Sequence, residues 1–206
     1  MSDSGAADPT VNLHGFSFDD LAPFKFEKSF PAGASPTHRL FYVGRDDVHG
    51  ILRYLVSRVT SSFRLNMFGY DDEELDAMIR AHAENPQVFL QLTLDKSQAG
   101  GVHERKILEG WDRDRFNSVA VIGRSATHQI THTKGGVIDG IVAFEGSTNW
   151  SASGEGAGID GDVPDTPSGK PGRFKAQNNT LLVSTDTVLI SEFTAELDRE
   201  HVAARG

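Results

Sequence analysis

The sequence predicts an α/β fold, a mixed β-sheet flanked by helices on both faces. Two observations predict it. Segments in which apolar residues alternate with period two take turns along the chain with segments of helical periodicity. The 206 residues are 38% hydrophobic, enough for one domain with a sizeable core, placed at residues 39–206 behind an N-terminal arm of residues 1–38.

In chain order, Phe41-Tyr42-Val43 reads as the first strand. Val48, Ile51, Leu52, Leu55, Val56 and Val59 recur at helical spacing with Arg53, Ser57 and Arg58 between them, which predicts an amphipathic helix. Phe63, Leu65 and Met67 alternate as a strand. The acids Asp71 to Glu74 then open a helix, favoured by its dipole, whose core face is Leu75, Met78 and Ile79. Val88, Leu90, Leu92 and Leu94 form the next strand, closed by Asp95-Lys96-Ser97 and the Gly100-Gly101 break. A helix is expected from about Val102 to Gly110, then strands near Val119–Val121 and His128–Ile130. Ala152 to Phe174 reads as irregular: its six glycines, three prolines and scattered aspartates leave almost nothing to bury. A strand over Thr180–Ser184 and a terminal helix with Leu189, Phe193 and Leu197 inward complete the series.

One spacing stands apart from this periodicity. His132 and Lys134 are followed by Asp139 after four residues, and six residues later by Gly146, Ser147 and Asn149. The pattern H-x-K-x4-D-x6-G-S-x-N resembles the signature of the phospholipase D superfamily, in its branch of small, single-motif nucleases. On an extended strand His132 and Lys134 share a face, so both can reach one phosphate.

The resemblance implies a metal-independent phosphodiesterase, most readily an endonuclease on DNA or RNA. Neutral His132 would attack phosphorus and form a phosphohistidine that water later opens. Lys134, Asn149 and Ser147 would stabilise the extra negative charge on the pentacoordinate phosphorus. Asp139 belongs to the catalytic signature but reads as a residue that holds its loop. Gly146 and Trp150 lie beside the motif, and Lys170, Arg173 and Lys175 are placed for phosphate contacts if the irregular segment borders the cleft. Relatives usually carry a glutamate, in a pattern close to Asn-x-Glu-Asn, that orients the imidazole. Here the place is held by Asn178, which can accept from an imidazole N–H without charge.

A departing alkoxide needs a protonated group, which one attacking histidine cannot also supply. The motif occurs once, and His14, His38, His49, His82, His103, His128 and His201 lack its context. The resemblance therefore implies a homodimer in which a twofold axis sets two copies of His132 face to face. Two other readings remain open: a lipid phosphodiesterase, and a phosphoester- or nucleic-acid-binding module with weakened catalysis, for which Asn178 is the main support.

A net charge of −9 runs against the usual basic character of nucleic-acid binders. Residues 1–30 carry −3 and 61–90 carry −4, while 31–60 carry +2, and Arg39, Arg45 and Arg124 are candidate substrate-side cations. His128, His132 and Asp139 admit a metal-ligand reading, but Lys134 on the same face would repel a cation, so no metal or cofactor is expected. Trp111, Phe116 and Phe144 read as core or rim, and Trp150 as the candidate for base stacking. The absence of cysteine excludes disulfides and thiolate catalysis and fits a cytoplasmic protein. With no basic leader and no run of eighteen apolar residues, neither a signal peptide nor stable membrane association is expected.

Overall fold

A computed structural model describes residues 15–124, 127, 130–156 and 176–205. His14, His128, Lys170, Arg173 and Lys175 lie outside the described residues, as do most of the irregular segment and two residues of the strand expected near His128–Ile130.

Seven strands form one mixed sheet: β1 (His38–Tyr42), β2 (Ser62–Met67), β3 (Phe89–Asp95), β4 (Ala120–Gly123), β5 (Lys134–Ile138), β6 (Val142–Gly146) and β7 (Thr180–Ser184). Their order is β1-β7-β6-β5-β2-β3-β4. The β2–β3 and β3–β4 pairs are parallel and the others antiparallel. The helices are α1 (Val48–Ser57), α2 (Glu73–Ala83), α3 (Val102–Glu109), α4 (Arg113–Val119), α5 (Ala152–Glu155) and α6 (Thr187–Arg205).

Period-two burial sends Phe63, Leu65 and Met67 of β2 into the core on the α1 and α2 face, with Val48, Ile51, Leu52, Leu55 and Val56 of α1 fully buried there. On the opposite face Val137 and Ala143 pack against Ile190 and Leu197 of α6. The arm contributes too. A 3-10 helix over Phe18–Phe24, closed by a Ser17/Asp20 capping box, buries Phe18 and Leu21, and Lys25 pairs with buried Asp46 at 2.9 Å.

Three local outcomes differ from the sequence reading. Arg113–Val119 is helical, started by Asp112, whose side chain accepts from the Arg115 N–H; a polar segment this short carries little periodic signal. Ile130 lies in a bend rather than a strand. The start of the irregular segment folds as α5, because Ser151 caps it by accepting from the Gly154 N–H and Glu155 turns inward. No helix among the described residues is long and apolar enough to cross a membrane.

Candidate active site

The sheet register brings the motif to one edge. Lys134 opens β5 opposite Met67, the last residue of β2, and Gly146 closes β6 opposite Leu181. β3 ends at this edge with Asp95, β7 begins there after Asn178, and α1 and α2 both start there. Side chains from distant parts of the sequence therefore converge.

His132 precedes β5, not within it as the alternation suggested, and its side chain is exposed. Lys134 is buried, with 4% exposure, and its Nζ donates to the His132 carbonyl at 2.7 Å. Phe68, the residue after β2, fills the space beside both: its ring meets the imidazole edge-on at 4.6 Å between centroids, and the ammonium lies 4.8 Å from its centre. Desolvation here, followed by the neighbouring Lys134 charge, holds the His132 pKa below the ordinary histidine value, with Asp95 pulling weakly upward. Burial likewise lowers the pKa of Lys134, again opposed by Asp95. No described residue hydrogen-bonds an imidazole nitrogen of His132. The ring nitrogens are open to a ligand.

The other polar motif residues are fixed by backbone. Ser147 Oγ accepts from the Thr180 N–H at 3.0 Å, which leaves its own proton for a substrate oxygen. Asn149 Oδ1 accepts from the Gly69 N–H at 3.2 Å, turning the amide NH2 outward as the donor. Gly69 lies so close that a Cβ there would come within 3.1 Å of the Asn149 Cγ. Gly146 is equally constrained, since a Cβ on it would fall 2.1 Å from the Thr180 carbonyl oxygen.

Three sequence expectations need correction or relocation. Asp139 holds a loop, as its position in the sequence suggested, and does not join the phosphate-side residues of the catalytic signature. It sits past the far end of β5, about 17 Å along the strand from Lys134, in a left-handed turn with φ 54°. There its carboxylate accepts from the backbone N–H groups of Thr60, Ser61 and Ser62 and from the Thr60 and Ser61 hydroxyls. Burial would raise its pKa, but these donors outweigh burial and hold it below the ordinary carboxylate value. Trp150 offers no face to a base. It is 1% exposed, stacked on Tyr70 and Phe144, with its carbonyl accepting from the Asp71 and Asp72 N–H groups. Asn178 reaches the same edge and is exposed, with no bond to His132. Of the candidate cations, Arg39 lies over the rings of Phe18 and Phe30, and Arg45 pairs with Glu27.

Two positioning residues were not read from the sequence. Phe68 has no periodic marker. Asp95, 1% exposed, accepts from the Thr131 N–H at 2.6 Å and from Ser97, and so fixes the backbone just before His132. An acid at a strand's end was visible; its partner was not.

No protein-family model matches the chain, and no curated protein matches it. Solved structures do. Nuc from Salmonella typhimurium, a phospholipase D family member, aligns over 82% of this chain and 95% of its own, with TM-score 0.59 and 14% identity. NucT from Helicobacter pylori aligns over 81% and 96%, with TM-score 0.58 and 16% identity. The chain has the phospholipase D fold. The phosphatidylserine synthase of Haemophilus influenzae Rd KW20 shares it over 79% of this chain but only 36% of its own, with TM-score 0.54 and 12% identity. Because the phospholipase D fold carries more than one chemistry, the reaction has to be argued from the side chains at the sheet edge.

Proposed function

We propose that this chain is a phosphodiesterase of the phospholipase D type that cuts nucleic acid, DNA or RNA, with its active site completed by homodimerisation. The observation that carries the reading is the juxtaposition of exposed His132, whose pKa is held below the ordinary histidine value, with buried Lys134. Ser147 and Asn149 stand on the same sheet edge. An imidazole nitrogen attacks phosphorus, and the P–O bond to the leaving alkoxide breaks. A protonated His132 of the second copy gives its proton to that alkoxide, then accepts one from the water that opens the phosphohistidine. Lys134 leaves the His132 carbonyl for a non-bridging oxygen, joined by the Ser147 hydroxyl and the Asn149 amide. Their cationic and N–H character meets the developing charge in the way an oxyanion hole does. Asn178 reaches the same edge without bonding His132; if it stands where relatives carry the imidazole-orienting acid, Asn178→Glu should raise the rate, and an unchanged rate removes it from that role.

The test is cleavage of plasmid DNA, single-stranded DNA and RNA by the purified protein in excess EDTA, beside His132→Asn. Cutting that survives the chelator and falls at least about a thousandfold in the variant is expected. Failure to cut any nucleic acid, with turnover of a phospholipid instead, would replace the nuclease reading by a lipid phosphodiesterase.

A further inference from the structure

A second cluster of ligating side chains sits at the same end of the sheet, in none of the roles above. His49, in the first turn of α1, places Nδ1 2.7 Å from Glu155 Oε2 and 3.5 Å from Asp72 Oδ2. One ligating atom from each of these three residues lies within 4.8 Å of the others. The Glu155 side chain is fully buried, and its second oxygen, Oε1, has no hydrogen-bond partner. A buried carboxylate oxygen without a partner is costly, and an ion pair to one imidazole leaves that cost in place.

The surroundings are those of a ligand set. The far nitrogen of His49, Nε2, lies 3.0 Å from Glu74 Oε2, and Glu74 is itself held by Arg53 at 2.7 Å. As the site stands both ring nitrogens donate to carboxylates; an ion would take the place of the Nδ1 proton, while Glu74 on the outer N–H holds the ring as second-sphere carboxylates hold metal-bound histidines. Asp72 is anchored in the same way: Oδ1 accepts from the Leu75 N–H at 2.7 Å as the cap of α2, which leaves Oδ2 facing His49. Once the ion has displaced the Nδ1 proton, the imidazole and the two carboxylates together carry −2, matching a divalent cation. One nitrogen and two oxygens favour a borderline ion over Mg2+ or Ca2+, which take oxygen-only sets.

We propose that His49, Asp72 and Glu155 form a structural site for a divalent transition-metal ion, Zn2+ by preference. Bonds of about 2.0 Å in a tetrahedron separate ligand atoms by roughly 3.3 Å, so the His49–Glu155 pair opens by about half an ångström to admit the ion. The fourth position falls to water or to Glu155 Oε1. The ion joins the starts of α1 and α2 to α5, whose chain arrives directly from Asn149 and Trp150. It therefore braces the strand edge on which Asn149 stands and takes no part in phosphoryl transfer.

The experiment is equilibrium dialysis of the untagged full-length protein against Zn2+, with Co2+ and Mn2+ as spectroscopic substitutes. Expected are one Zn2+ per chain, visible d–d bands with Co2+, and a thermal midpoint raised by Zn2+. Mn2+ should broaden the amide resonances of Gly50, Leu75 and Glu155 in the unaltered protein, which localises the site even if variants fold poorly. His49→Gln and Glu155→Gln lose the stoichiometric ion, while His132→Asn keeps it. Absence of binding, equal binding of Mg2+, persistence of the ion in His49→Gln, or broadening centred on His132 would each overturn the proposal. Any of these would leave the phosphodiesterase reading untouched, because cleavage in EDTA depends on His132 alone among the histidines named here.

Discussion

Lys134 shows how burial and neighbours set chemistry at one residue. Desolvation first, and then its ammonium, held against Phe68 and bonded to the His132 carbonyl, lower the affinity of the adjacent imidazole for a proton. In the proposed mechanism the attacking imidazole has to be neutral, and the His132 pKa lies below the ordinary histidine value. The acid limb of kcat/KM should therefore fall below about pH 6.5. Lys134→Met should move that limb toward 6.5 while the rate collapses; an unmoved limb would show that the ammonium does not tune His132. Asp139 illustrates the opposite role. Its pKa is lowered in the fold, so its contribution to stability is present above the ordinary carboxylate pKa and is lost as pH falls through the folded value. Asp139→Asn removes charge-assisted acceptance from three consecutive residues. It should cost about 2 kcal/mol at pH 7, lowering the melting temperature by about 5 °C, with less of the difference left below pH 3. Calorimetry at both pH values checks this, and a variant with a wild-type melting point but lost turnover would return Asp139 to the reacting groups.

At the scale of elements, the segment between α5 and β7 has closely spaced ends. A Cβ on Gly156 would lie 4.0 Å from the Ala176 Cβ, the Gln177 N–H donates to the Ser153 carbonyl at 2.9 Å, and Asn179 Nδ2 donates to the Gly154 carbonyl at 3.0 Å. Residues 157–175 can therefore be replaced by a two-residue Gly linker with the melting temperature changed by no more than a few degrees, since closing a shorter loop costs little. The cut has to begin after Gly156, because Glu155 is buried against His49. Kinetics of the shortened protein decide the segment's part in substrate choice: an unchanged kcat/KM on every substrate would remove it from the cleft. The helix that the periodicity placed most firmly, α1, is also the most deeply packed of the helices. The element it missed, α4, buries no residue fully.

For the whole molecule, the proposed mechanism, with one set of motif residues per chain, makes activity a property of pairs. If one His132 attacks while that of the second copy protonates the leaving group, subunits of wild type and His132→Asn, unfolded together and refolded, should give activity that falls with the square of the wild-type fraction. A linear fall would show that each chain works alone. The net charge of −9 also means that affinity for a polyanion has to come from a local arrangement of cations and not from the overall field.

The sequence by itself determined the alternation of strands and helices and the apolar faces they bury, and the resemblance of its motif singled out His132, Lys134, Ser147 and Asn149 as candidates. Periodicity and spacing are local properties, readable without knowing which strands pair. Tertiary structure alone decided that Asp139 holds its loop from the far end of β5, on the Thr60–Ser62 segment, and that Trp150 is interior. Only it could bring Phe68 and Asp95 beside the motif, or set His49 against Glu155 across 106 positions of chain. Those outcomes follow from strand order and register, which are set by the summed packing of both sheet faces and leave no mark in any short window of sequence.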